Sequence, residues 1–597
     1  MRLSRIKIEN FRNFAELDVE LAGSVVVVGE NRVGKSNLVH ALRLIFDASL
    51  PDSARQLSLS DFWDELGTPG EDDVIEVVVE IRDFEKDFDV LALLTDFRLN
   101  DDPTTVRLTY QFRPQPGLDR APASESDYEF VCFGGEDESK RFGFELRRRI
   151  ALDVLPALRD AEGDLSVWRR SPLRPLIEEA FSGIDKDDLE GIGNAISAAT
   201  DKLAEFEAVE TLEKDIGDLF RLMSGPRHDI QPTLGFTATD TVRLYRSIRL
   251  LTDGGKRGIA EASLGSANLV FLTLKALELK KLIADNKRDH SFLAIEEPEA
   301  HLHPHLQRSV YRHLFESLGG EGDDLSILLT THSPHIASVA PLRSILLLKD
   351  SKGNGTIGRS TARIGLSEDD VDDLTRYLDV TRAELLFARG VILVEGDAER
   401  FLVPAFAERM KVPLDHLGIS VCSVGGTNFR PYTKLLAGLG IPFAVVTDWD
   451  PVKDDGAPLG YTRTVKLAST IYRRTTGKSP NNLEAELEAY GTYQEACDRC
   501  EKLGIFSNFD TLEIDLFAGD FIAPVCETLR EGPFGKARLA SIDGWLADPK
   551  SLGRDEYIKM IETIGKGRFA QRLATRIWKI DPPGYIKRAI KFVADRV

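Results

Sequence analysis

Two groups of residues in this chain have the types and spacing to handle phosphate. The first is Gly29-Glu30-Asn31-Arg32-Val33-Gly34-Lys35-Ser36, which follows the apolar run Val25–Val28 and precedes Leu38–Leu42, a stretch with helical spacing. A G-x4-G-K-[ST] loop between a strand and a helix wraps phosphate oxygens with backbone N–H groups, and the helix N-terminus adds positive potential. Lys35 would reach the β and γ phosphates of a nucleoside triphosphate, and Ser36 would ligate Mg²⁺. The second group is acidic: Glu395, Glu399, Asp448, Asp450 and Glu513. Each close pair of these charges would cost about 4 kcal/mol at an effective dielectric near 20. Such a cluster persists only with cations or raised pKa values. Two divalent cations, Mg²⁺ or Mn²⁺, would neutralise it and suit in-line attack on a phosphodiester.

The elements around these residues are those that place ligands at strand ends. Phe292–Ile295 is an apolar strand that runs into Glu296-Glu297, at the C-terminal edge where open α/β sheets bind ligands. Glu296 would orient Mg²⁺ and Glu297 would poise the attacking water. A further apolar strand, Ile327–Leu329, leads to Thr330-Thr331-His332-Ser333, which puts His332 within reach of a γ-phosphate. In the second half, Val391–Val394 delivers Glu395, the next helical turn delivers Glu399, and Phe443–Thr447 delivers Asp448-Trp449-Asp450.

Residues 1–130 read as strand-rich with one helix after the phosphate loop, and 51–72 and 114–127 as loops. From about 150 to 240 the pattern turns helical. Ile192, Ile196, Leu203, Phe206, Leu212, Ile216 and Leu219 form one apolar stripe there, which either packs on its own domain or makes a partner surface. The α/β pattern returns over 262–335, a charged helical run spans Ser367–Arg389, and strands and helices alternate again to about 447. The spacing therefore predicts a domain over 1–385 with a helical insertion, and a second over 386–597.

A formal charge of −21 excludes a general nucleic-acid coat but allows a local basic track. Two such tracks are Arg147-Arg148-Arg149 and the segment 566–597, which holds nine Lys and Arg against Asp581 and Asp595. No apolar run approaches 18 residues and no signal peptide is visible, so no membrane partner and a cytoplasmic location are expected. The five cysteines do not form a disulfide framework, and the one CxxC, Cys497 and Cys500, lacks a second ligand pair for zinc.

Gly29–Ser36, the run Glu296–Pro304 and Thr330–Pro334 together resemble the ABC-type ATPase heads of the RecF/SMC/OLD group. That resemblance implies that two heads sandwich ATP, with a signature loop resembling Ser263-Leu264-Gly265-Ser266 completing the partner's site. It also makes His301, His303 and His305 part of a dimer-facing loop rather than a zinc site. The chain departs from the pattern in having Glu296 where an Asp is usual. The second half resembles a Toprim domain, a Glu after one strand and DxD after a later one. The combination is similar to the OLD (overcoming lysogenization defect) family of ATP-dependent nucleases, related to the nuclease subunit of Gabija defence.

By that likeness Lys566, in Ile564–Ala570, would stabilise charge on the scissile phosphate. The expected fold is α/β: an ABC/RecF/SMC-like head with a helical insertion, followed by a Rossmann-like Toprim domain. The expected activity is ATP-gated, metal-dependent DNA cleavage by a homodimer or higher homo-oligomer, in phage defence or DNA repair, with room for a helicase partner. The alternative is a RecF-like DNA-binding ATPase whose Toprim half is a platform.

Overall fold

A computed structural model describes every residue except 86, 158–159, 205, 225–247, 249, 253–255, 262, 319–323, 352, 451–456, 477–478 and 491. Its strands in chain order are β1 Arg2–Phe11, β2 Phe14–Glu20, β3 Val25–Gly29, β4 Ile75–Arg82, β5 Val106–Pro114, β6 Tyr128–Gly134, β7 Ile150–Leu155, β8 Leu251–Thr252 and β9 Arg257–Gly258. These are followed by β10 His290–Glu296, β11 Leu325–Thr331, β12 Ile345–Ser351, β13 Gly355–Ser360, β14 Gly390–Val394, β15 Ile419–Ser423, β16 Phe443–Thr447 and β17 Ile505–Ser507.

Among the described residues, eleven strands form one mixed sheet in the order β6-β5-β4-β1-β2-β13-β12-β3-β11-β10-β7. The segment β12-β3-β11-β10-β7 is parallel, and its strands are near-continuous apolar runs buried on both faces, as β3 and β11 show. Register brings the site residues level: Glu296 lies beside Thr330, and Thr331 beside Val28. The phosphate loop, the acidic pair and His332 therefore leave one edge of neighbouring strands. A second sheet, β15-β14-β16-β17, is parallel throughout. There Val394 pairs with Val446 and Thr447 with Ser507, which sets Glu395, Asp448 and Asn508 side by side at the strand ends. Each sheet has its own buried core, one reaching from Leu3 to Leu348 and the other from Ile392 to Val593.

By contact, residues Met1–Leu155, Asp289–Glu299 and His303–Val597 form one compact unit, which holds both sheets. Pro156–Arg288 with Ala300–Leu302 forms another. The segment after β13 bonds to both halves of this unit, with its Glu368 paired to Arg343 just before β12. Its Asp370 pairs with Lys434, and its Asp373 accepts a hydrogen bond from Asn428. The charged run 367–389 holds the helices Glu368–Tyr377 and Val380–Ala383, with Asp379 capping the second.

The second unit carries the helices Leu173–Ser182, Lys186–Ala204, Glu207–Ser224 and Leu264–Ala284. Of the apolar stripe, Ile192, Phe206, Leu212, Ile216 and Leu219 are exposed and Ile196 is half-buried. The Leu203 side chain and residues 225–240 of the expected insertion lie outside the described residues.

Candidate active sites

The phosphate loop is shaped by its glycines. Gly34 caps the helix Lys35–Phe46 at φ +85°, and a Cβ there would run into the Asn13 side chain. A Cβ on Gly29 would sit 2.5 Å from the Leu348 carbonyl. Asn13 donates to the Val33 carbonyl at 3.0 Å and accepts from Asn37 at 2.6 Å, while Arg12 donates to Asn37 at 2.9 Å. Lys35 is buried and donates to the carbonyls of Gly29 (3.2 Å) and Glu30 (2.9 Å), folding over the loop. Burial lowers its pKa, against the opposing charges of Glu297 and Glu299. The Glu30 carboxylate is paired, since Arg389 donates to both its oxygens at 2.5 and 2.7 Å.

Burial raises the pKa of Glu296, opposed by a hydrogen bond from the Ser36 hydroxyl. Hydroxyl and carboxylate thus already stand together where Mg²⁺ beside a triphosphate would take both. Glu297 adopts φ +43° and places Oε1 3.4 Å from His332 Nε2, which is buried and without a hydrogen bond. Glu299, which the sequence motif gave no role, holds that histidine loop by accepting from the His332 backbone N–H (2.7 Å) and the Thr331 hydroxyl (2.9 Å). Ser263 and Gly265 belong to the other unit. Ser263 caps the helix Leu264–Ala284, and Gly265 lies so near the His301 carbonyl that a Cβ would be 2.4 Å from it.

In the Toprim-like half four carboxylates share one pattern. Glu395 Oε1 accepts from Thr447 Oγ1 (2.6 Å) and the Asp448 N–H (3.0 Å). Asp448 Oδ1 accepts from Asn508 Nδ2 and the Leu512 N–H. Glu399 Oε2 accepts from the Gly396 N–H at 3.1 Å, and Glu513 Oε1 pairs with Lys566 Nζ at 2.9 Å. Among the described residues no hydrogen bond reaches the second oxygen of Glu395, Asp448 or Glu513, and that of Glu513 is fully buried. An orphaned buried carboxylate oxygen is costly unless a cation serves it. The donor set, all hard oxygen, suits a hard divalent cation.

Charge reflects the crowding. Burial first, then the charges of Glu395, Glu399, Glu513 and Asp450, pushes Asp448 up to about 8. Burial and the charges of Glu395 and Glu513 push Glu399 up to about 7. Burial would lower Lys566, but its bond to Glu513 and the charges of Asp448 and Glu399 outweigh this and raise it.

Among the described residues no trio of His, Cys, Asp or Glu is already gathered at metal-holding spacing, here or at His301, His303 and His305. Two cations lie within the acid cluster. Lys566 is one. The other is Arg463, whose Nη2 lies 2.6 Å from the Asp448 carbonyl, 2.9 Å from Asp450 Oδ2 and 3.2 Å from Glu395 Oε1. Arg463 sits on the helix Leu459–Thr476, which docks on the Asp448–Asp450 loop through Gly460. A Cβ at Gly460 would lie 2.3 Å from the Asp448 carbonyl, so only glycine permits that approach.

The basic tracks are less available than their sequence suggests. Arg147 is buried, donating to Ile45 and Cys132, and Arg149 pairs with Asp289. In the last segment Arg576 pairs with Glu531 and Arg588 with Glu501. Cys497 and Cys500 are buried free thiols.

Residues 386–450 match the family model described as "Overcoming lysogenization defect protein-like, TOPRIM domain". Residues 24–338 match "AAA domain, putative AbiEii toxin, Type IV TA system". The solved C-terminal region of the Burkholderia pseudomallei OLD protein is 42% identical, covering 35% of this chain and 98% of that one, with a TM-score of 0.30. The chain belongs to the OLD family. It is similar to an OLD nuclease of Thermus scotoductus, 25% identical over 75% of this chain and 82% of that protein. It is also similar to an endonuclease GajA of Bacillus cereus, 24% identical over 75% of each.

As an OLD-family enzyme the chain couples an ATPase head to a Toprim domain, an α/β architecture built on the eleven-stranded and four-stranded sheets. The expectations of phosphate loop, strand-end Glu pair and Toprim acids all fall where these two sheets end. Arg463, Asn508 and Glu299 escaped the sequence reading, because each acts through a partner far along the chain. Gly460 was the one available signal, a helix-starting glycine just after an acidic loop.

No helix among the described residues is long and apolar enough to cross a membrane.

Proposed function

We propose that the chain is an ATP-binding, divalent-metal-dependent endonuclease acting on DNA as a homodimer or higher homo-oligomer, in phage defence or DNA repair. The observation that carries this reading is a set of carboxylates each held through one oxygen, ending in the buried, orphaned oxygen of Glu513. Glu395, Glu399, Asp448, Asp450 and Glu513 would hold two divalent cations, which when bound activate water and neutralise phosphate charge. Thr447, Asn508 and the Leu512 N–H keep the carboxylates aimed. Lys566 would hold the charge growing on the phosphate, a contribution that typically reaches about a hundredfold or more.

At the head, Gly29–Ser36 would cradle ATP, and Ser36 with Glu296 would hold its Mg²⁺. Glu297 would take a proton from the attacking water, and His332 would face the γ-phosphate. Ser263 and Gly265 would serve the partner's nucleotide. Arg389, which grips Glu30 and immediately precedes β14, gives the phosphate loop a direct hold on the strand that carries Glu395. ATP would thereby govern DNA access rather than drive scission.

A platform without catalysis is the second reading, favoured by the two cations that occupy the acid cluster. Supercoiled plasmid with Mg²⁺ or Mn²⁺, with and without ATP, separates the two. Nicked or linear product that EDTA abolishes is expected. Plasmid left intact under every condition would favour the platform.

A further inference from the structure

Arg463 is an odd constituent for a finished ion pair. A guanidinium fixed for structure usually engages carboxylates through its planar fork, two nitrogens at a time. Among the described residues its polar contacts are made by Nη2 alone, to the Asp448 carbonyl, Asp450 Oδ2 and Glu395 Oε1. Its Nε is buried with no hydrogen-bond partner. Three oxygens from both halves of the acid cluster thus converge on one cationic nitrogen, the arrangement a metal ion would otherwise impose. Asp450 contributes from a strained backbone, at φ +47°, where a non-glycine residue stays only if its surroundings hold it.

We propose that Arg463 is the resident counter-ion of the acid cluster, a positioning residue that keeps Glu395 and Asp450 in place without ions and must be displaced from them before a divalent cation can bridge the two. This rests on reading the cluster as a metal site. The displacement needs no movement of the helix. Nη2 can keep its bond to the Asp448 carbonyl while the guanidinium turns, and the unpartnered Nε is free to take a new acceptor. A cation that must yield its place competes with the incoming one, so its charge sets how much Mg²⁺ or Mn²⁺ the chain needs.

Isothermal titration of Mn²⁺ into the full chain, nucleotide-free and DNA-free, tests this. Arg463→Gln is expected to bind Mn²⁺ about tenfold more tightly than wild type, because removing a nearby positive charge favours a cation. Arg463→Lys, which keeps the charge but spans less, should fall between them and serves if the glutamine variant does not fold. A merely structural arginine would move affinity the other way, since its loss would loosen the loop. Equal or weaker Mn²⁺ binding by both variants therefore overturns the proposal while leaving the metal site intact. Absence of Mn²⁺ binding by wild type itself would instead remove the metal-site reading, and this proposal with it.

Discussion

Asp448→Asn and Glu395→Gln are each expected to cut plasmid nicking to the uncatalysed background, while ATP turnover stays within about twofold of wild type because the two sites share no residues. The amides are chosen for what they preserve. An asparagine at position 448 keeps an oxygen for Asn508 and the Leu512 N–H, and a glutamine at position 395 keeps one for Thr447 and the Asp448 N–H. What each loses is the negative charge on the open oxygen. Asp448 lies nearest the centre of the repulsion, crowded by Glu395, Glu399, Glu513 and Asp450. Its neutralisation should leave thermal stability unchanged or raise it, since a buried charge with like-charged neighbours opposes folding. Loss of cleavage with an undiminished melting temperature marks a catalytic defect. Nicking retained by both purified variants would refute the assignment.

Lys35→Ala should lower ATP turnover by about a hundredfold or more, the scale of losing a preorganised charge at a phosphate. The Lys35 ammonium group donates to the Gly29 and Glu30 carbonyls, which holds it over the phosphate loop. Its replacement leaves two carbonyls without that donor, a cost of about 1–3 kcal/mol for each one left unsatisfied. That is tolerable within the roughly 5–15 kcal/mol of a typical domain. ATP should raise the melting temperature of wild type and not of the variant. An unchanged turnover rate would contradict the role given to Lys35.

Much of the architecture was legible because its grammar is local. A buried valine run, a glycine turn and a helix are contiguous at Val25–Phe46, and the acids follow their strands directly at Glu296, Glu395 and Asp448. The residues that escaped reading depend on register between distant segments. Asn508 reaches Asp448 only because Ser507 pairs with Thr447. Arg463 arrives through a helix seated by Gly460. Local charge also misled: Arg147-Arg148-Arg149 reads as a surface patch, yet Arg147 is buried, bonded to the Ile45 carbonyl, and Arg149 is spent on Asp289. Composition cannot distinguish a solvated cation from one already paired.

The most direct measurement is the anomalous scattering of Mn²⁺ in crystals of the full chain. Two peaks are expected among the open oxygens of Glu395, Glu399, Asp448, Asp450 and Glu513, with the Arg463 guanidinium turned away from Glu395 and Asp450. Saturating Mn²⁺ that leaves those carboxylates without a peak, and Arg463 still bonded to Asp450, would contradict a nuclease centre here.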